Sequence, residues 1–166
     1  AVSAVMCSLG LSHALRDAGI ELVQTKVGDR YVLEAMREGG FAIGGEQSGH
    51  MIFLKHNSTG DGLVTALQFL AACRRAGASV EEAARVMTRF PQTLINVEVA
   101  DKHAVDGNAA VREAVAAAEA ALGDSGRVLL RPSGTEPVVR VMVEAACAED
   151  AERHARAIAE VVEREV

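Results

Sequence analysis

Two stretches of this 166-residue sequence concentrate groups that handle small polar ligands. In Gly44-Gly45-Glu46-Gln47-Ser48-Gly49-His50, glycines let the backbone come close to a ligand, while Glu46 and Ser48 can hydrogen-bond hydroxyl groups such as those of a sugar. The same residues also suit an ordinary turn between a helix and a strand, with its polar side chains in water. His50, at a strand start, is either a hydrogen-bonded structural residue or a proton carrier near neutral pH. In Arg131-Pro132-Ser133-Gly134-Thr135-Glu136-Pro137, a guanidinium, two hydroxyls and a glycine amide lie within five residues, and Arg140 follows on the next strand. Those are the groups that hold a phosphate. A plain hairpin turn explains Gly134 and the prolines but not Arg131 beside two hydroxyls. The spacing is not that of the GxxxxGK[ST] phosphate loop.

A third stretch, Lys26-Val27-Gly28-Asp29-Arg30-Tyr31, carries both signs of charge at a helix start, where Asp29 is able to cap the helix. The remaining histidines, His13, His56, His103 and His154, are separated and show no metal-ligand spacing. Thr59-Gly60-Asp61-Gly62 offers one carboxylate where Mg²⁺ wants several oxygens, so Asp61 reads as an N-cap. Cys7, Cys73 and Cys147 are odd in number and widely spaced, as expected of buried, reduced thiols in a cytoplasmic protein.

The elements that must carry these loops follow from periodicity. Val2 to Cys7 and Ile20 to Thr25 read as strands, Leu9 to Ala18 and Arg30 to Glu38 as helices, and Phe41 to Ile43 as a short strand. Helices follow at Gly62 to Ala76, with Leu63, Ala66, Leu67 and Leu70 on one face, and from a Ser79/Glu82 capping box to about Arg89. Thr93 to Ala100 alternates as a strand with one wet face. Asp106 to Leu122 and Glu149 to Glu163 read as helices, and Arg127 to Arg131 and Val138 to Ala145 as strands. The first part is thus an α/β layer domain with a mostly parallel sheet; the second, in the order β-α-β-β-α, is a small α+β domain with helices on one face of an antiparallel sheet.

Composition changes at the same place. Eleven of the fifteen glycines precede Pro91, and the net charge of −6 lies entirely after it. The boundary is therefore expected between residues 1–90 and 91–166. The acidic balance excludes a nonspecific grip on nucleic acid, and no apolar run of about 18 residues could span a membrane.

Taken in order, GGEQSGH, TGDGLVTALQ and RPSGTEPVVRVMVE resemble the C-terminal half of the α-D-phosphohexomutases, over nearly the whole chain. KVGDRYVLE and the pairing of GEQSGH with STGDG resemble the branch that interconverts glucosamine 6-phosphate and glucosamine 1-phosphate. The resemblance implies a partial α/β/α domain 3 followed by domain 4, with a TATA-box-binding-protein-like sheet. It implies that Glu46 and Ser48 hold sugar hydroxyls and that Arg131, Ser133, Gly134, Thr135 and Arg140 hold the phosphate not being transferred. His50 then stands near the reacting hydroxyl, and Asp29 and Arg30 belong to a loop that helps select the amine-bearing sugar. The family's phosphoserine loop and its DGDGDR-type Mg²⁺ loop do not occur in this sequence, so these residues would supply recognition and be inactive alone. Mg²⁺ and glucosamine 1,6-bisphosphate are the implied cofactor and intermediate, and the partner is a phosphosugar, without nucleic acid or membrane; a homodimer is left open. The alternatives are a mutase acting on mannose or glucose phosphates, or a noncatalytic metabolite-binding module.

Overall fold

Short apolar strands separated by amphipathic helices stack into one sheet in the first part of the chain. The computed structural model describes residues 1–166 and divides them into two units, Ala1–Arg89 and Phe90–Val166. The first contains β1 (Val2–Ala4), α1 (Leu9–Asp17), β2 (Val23–Thr25), α2 (Asp29–Gly39), β3 (Ile43–Gly45), β4 (Met51–Phe53), α3 (Gly62–Ala76) and α4 (Val80–Ala84). Its sheet has the order β2-β1-β3-β4, with β1 parallel to β2 and β3, and β4 antiparallel to β3.

One face of α2 holds this unit together. Val32 and Met36, four residues apart and fully buried, pack with Val2, Ala4 and Ile52 of the sheet. Each such side chain contributes about 1.5–3 kcal/mol relative to exposure. By contrast, Leu63, Leu67 and Leu70 of α3 are exposed.

Several boundaries move from their expected places. β3 starts at Ile43 and not at Phe41, because the Phe41 amide is used to donate to the Met36 carbonyl at the end of α2. The capping box forms, with the Glu82 amide donating to Ser79 Oγ at 3.1 Å, but α4 ends at Ala84 instead of near Arg89. Val86 and Thr88 are poor helix formers, and Pro91 restrains the residue before it, so little favours continuation. Asp61 caps α3, its Oδ1 accepting from Val64 N at 3.0 Å.

The second unit contains β5 (Gln92–Glu98), α5 (Ala109–Leu122), β6 (Gly126–Pro132), β7 (Val138–Ala145) and α6 (Ala148–Glu165). Its antiparallel sheet has the order β5-β7-β6. Val139, Val141 and Val143 of the central strand turn one face toward α5 and α6, packing with Val111, Ala155 and Ile158. The even-numbered residues of β7 therefore occupy the other face, and Arg140 is one of them. α5 begins at Ala109 and not Asp106, because Asn108 Oδ1 accepts from Val111 N at 3.1 Å and a short 3₁₀ turn precedes it. Cys7 and Cys73 are buried, but Cys147 is only partly so, with its thiol directed at Asp150 from the start of α6. No helix is long and apolar enough to cross a membrane.

Candidate functional site

In sheets with parallel strands, ligands collect at the carboxyl ends of the strands, where the connecting loops open outward. Two of the three loops singled out by sequence leave such ends. The Gly28 loop follows β2, and the GGEQSGH stretch follows β3. The latter is not a strand-to-helix turn but the tip of the β3–β4 hairpin, closed by Glu46 N donating to the His50 carbonyl at 3.0 Å.

The two loops are tied to each other. Gly28 N donates to Glu46 Oε1 at 2.6 Å, eighteen residues away, which leaves the second carboxylate oxygen of Glu46 for a ligand. Gly28 has φ of 132°, a conformation open to glycine, and so presents its amide toward Glu46 while starting α2. Asp29 makes no cap; the N-cap position is Gly28, without a side-chain bond. The Asp29 carboxylate turns instead to His50, with Oδ2 and Nδ1 separated by 2.8 Å. Gly60 of the STGDG stretch backs this pair, since a Cβ there would lie 3.0 Å from His50 Cβ. Ser48 is exposed at the hairpin tip. Arg30 points elsewhere: its guanidinium bonds Glu34 at 2.8 Å along α2, which holds its proton more tightly than usual.

Asp29, Glu46 and His50 bring one ligand-type atom each within 4.8 Å of one another. Asp29 and His50 already bond each other, and Glu46 bonds the Gly28 amide. The cluster is thus a hydrogen-bonded set at the N-terminus of α2, where the helix dipole favours carboxylates.

In the second unit, the phosphate-type loop joins β6 to β7. Ser133 N donates to the Val138 carbonyl at 2.9 Å and closes the hairpin. Gly134 and Thr135 stand exposed at the tip, whereas Ser133 is only 3% exposed and its hydroxyl accepts from Glu136 N at 3.3 Å. Arg131 and Arg140 are direct cross-strand partners, so two guanidiniums share one face of the sheet. Burial first, and the Arg140 charge second, lower the pKa of Arg131 from its usual value. Glu136 Oε2 accepts from Arg140 Nη2 at 2.6 Å, while Arg140 Nε is buried without a hydrogen-bond partner.

Sequence reasoning did not single out Lys102. Its ammonium donates to the Ser133 carbonyl at 2.6 Å and the Glu136 carbonyl at 3.2 Å, so it clamps the two ends of the turn. Nothing in the sequence marks a lysine thirty-one residues upstream as belonging to that loop. Glu136 lies within the motif, where its type alone gives it no role; in the structure its carboxylate pairs with Arg140.

Comparisons with known proteins identify the two units. The phosphoglucomutase/phosphomannomutase alpha/beta/alpha domain III model matches residues 1–90, and that family's C-terminal domain model matches residues 94–161. The chain is 57% identical over 165 residues to the phosphoglucosamine mutase of Thermobifida fusca, covering 99% of this chain and 37% of the relative. It is 61% identical over 144 residues to that of Frankia alni, covering 87% and 32%. The chain therefore spans about a third of the length of these curated relatives. Among solved structures, Aspergillus fumigatus N-acetylphosphoglucosamine mutase, in complex with GlcNAc-6P and magnesium, has a TM-score of 0.79 at 20% identity, covering 97% of this chain and 40% of that one. That likeness is one of fold. Two family domains in their expected order, over nearly every residue, place the chain in the phosphoglucomutase/phosphomannomutase family.

Proposed function

We propose that this chain is the C-terminal part of a phosphoglucosamine mutase, which interconverts glucosamine 6-phosphate and glucosamine 1-phosphate through a phosphoserine and a 1,6-bisphosphate. The observation that carries the reading is the opposed pair Arg131 and Arg140. Like charges directly opposite on neighbouring strands destabilise a sheet, so their placement makes sense as a seat for an anion. Glu136 offsets part of the Arg140 charge; a dianionic phosphate there would offset the rest and that of Arg131, and give the buried Arg140 Nε an acceptor. Gly134 and Thr135 add an amide and a hydroxyl at the exposed tip, and Ser133 shapes the turn from within.

In this reading Glu46 and Ser48 hold sugar hydroxyls, and Asp29 and Arg30 belong to the loop beside the amine-bearing carbon. Phosphoryl transfer is catalysed mainly by positioning and charge stabilisation, so such loops belong to the catalyst even where they touch no breaking bond. Mg²⁺ would offset charge on the transferring phosphoryl group from outside these residues, since Asp61 is engaged as the cap of α3. The phosphoserine likewise belongs to a part of the protein outside this chain, and the chain alone is inactive. A cytoplasmic setting fits a phosphosugar substrate.

The test is an NMR titration of the labelled chain with glucosamine 6-phosphate, glucose 6-phosphate, mannose 6-phosphate and inorganic phosphate. The amides of Gly134 and Thr135 should shift with all four ligands, and those of Glu46 to Ser48 most with the amino sugar. Equal responses to the three sugars would favour a mutase of broader specificity. No shift near Arg131 and Arg140 with any phosphate would overturn the assignment of that loop.

A further inference from the structure

We propose that Asp29 is a positioning residue for His50, fixing the imidazole tautomer whose Nε2 takes the proton of the reacting sugar hydroxyl. The inference rests on the mutase reading above, in which His50 stands near the reacting hydroxyl, and what it adds is the work of Asp29.

The pair is not a local accident of the chain. Asp29 Oδ2 and His50 Nδ1 lie 2.8 Å apart although the residues are separated by twenty-one positions. An ionised carboxylate only accepts hydrogen bonds, so the hydrogen must sit on Nδ1, and the neutral ring then carries its lone pair on Nε2. An acid in the first turn of a helix ordinarily serves the helix's own amides, yet no side-chain cap bond forms at α2. Stability does not explain the pair either. The two side chains are 61% and 39% exposed, and exposed ion pairs contribute little.

The surroundings hold the geometry. Gly28 N on Glu46 Oε1 ties the two loops together, Glu46 N on the His50 carbonyl closes the hairpin, and Gly60 lies so near the base of the His50 side chain that a Cβ there would stand 3.0 Å from His50 Cβ. With Nδ1 turned to Asp29 and the side chain exposed, Nε2 is left to a ligand held, in the mutase reading, by Glu46 and Ser48. In the reaction, the sugar oxygen forms a bond to the phosphoserine phosphorus as its proton passes to Nε2. The serine oxygen keeps the electron pair of the broken P–O bond as an alkoxide, and it is this oxygen that takes back a phosphate on the return transfer. The imidazolium formed is stabilised by Asp29, and on the return transfer Nε2 gives the proton back to the sugar oxygen that leaves.

Nitrogen-15 spectra of the imidazole separate the tautomers directly, in this chain and without turnover. At a pH where the ring is neutral, wild type should show a protonated Nδ1 and an unprotonated Nε2, and Asp29→Asn should lose that preference. Amide shifts outside the two loops serve as the control that the variant is folded. A wild-type ring protonated on Nε2, or a tautomer unmoved in Asp29→Asn, would overturn the proposal. In the intact mutase, Asp29→Asn should lower kcat by about 10- to 100-fold while leaving KM within about threefold. Unchanged kcat would overturn the positioning role and leave the mutase reading standing. Failure of the intact wild-type protein to convert glucosamine 6-phosphate would overturn the reaction step, and the tautomer spectra would show that the pair itself was read correctly.

Discussion

Replacing Arg127 by Met should destabilise the second unit strongly, and the amount follows from the surroundings of its partner. Glu144 on the central strand is fully buried, and Arg127, directly across on β6, is its guanidinium partner at 2.8 Å. Opposite charges about 4 Å apart attract by about 4 kcal/mol at an effective dielectric of about 20. Removing one partner leaves the other charge buried, and such losses run to about 3–5 kcal/mol. Native-state hydrogen exchange at the amides of Val141 and Val143 reads this unit specifically, because β7 is paired on both sides. A loss of 3–5 kcal/mol corresponds to exchange faster by about 10²- to 10⁴-fold where opening is global. Pairing Arg127→Met with Glu144→Leu should recover most of the loss, since apolar groups of similar volume replace a buried ion pair at little cost. Exchange accelerated by less than about tenfold in Arg127→Met, or no recovery in the double variant, would show that the pair does not hold the strand as argued.

Arg131→Met should abolish the shifts that inorganic phosphate causes at Gly134 and Thr135 while leaving thermal stability equal or up to about 0.5 kcal/mol higher, because it relieves the opposed charges; lowered stability with phosphate binding retained would contradict both parts. Lys102→Met should speed exchange of the Ser133 and Glu136 amides and weaken phosphate binding by about tenfold, or about 1.4 kcal/mol, with Lys102→Arg restoring part of it. For Glu82, hydrogen bonds from Ser79 hold the carboxyl below its usual pKa, so its contribution to α4 is present at neutral pH and is lost as the pH falls through the lowered value. A titration of the Glu82 carboxyl should therefore find a low midpoint that rises toward the ordinary value in Ser79→Ala.

Local signals carried much of the architecture. The Ser79/Glu82 capping box and the Asp61 cap formed where the residue types put them, because each depends on atoms within four positions. Alternation along β5 and β7 and the break at Gly134 were enough to place an antiparallel sheet with helices on one face. Strand ends in the first unit were less legible. Its four strands are three residues each, too short for a period of two to declare itself, and Phe41 went to the end of α2. The face of α3 bearing Leu63, Leu67 and Leu70 reads as a core stripe, yet those side chains are exposed. Periodicity says which residues share a face, not what lies against it.

The residue types of the GGEQSGH and RPSGTEP loops, their order and their assignment to one family were all determined by the sequence, since within each loop the glycines, hydroxyls and charged groups sit at short spacing in one continuous stretch. Which of those groups face one another was decided by the tertiary structure. Parallel pairing of β1 with β2 and β3 brings the loops after β2 and β3 to the same sheet edge, where Gly28 meets Glu46 and Asp29 meets His50. The antiparallel register of β6 and β7 sets Arg131 against Arg140, and the path after β5 delivers Lys102 to the carbonyls of the β6–β7 loop. These contacts join positions eighteen to thirty-four residues apart along the chain, or nine across a hairpin, and their geometry comes from strand pairing, which no local spacing of residue types encodes.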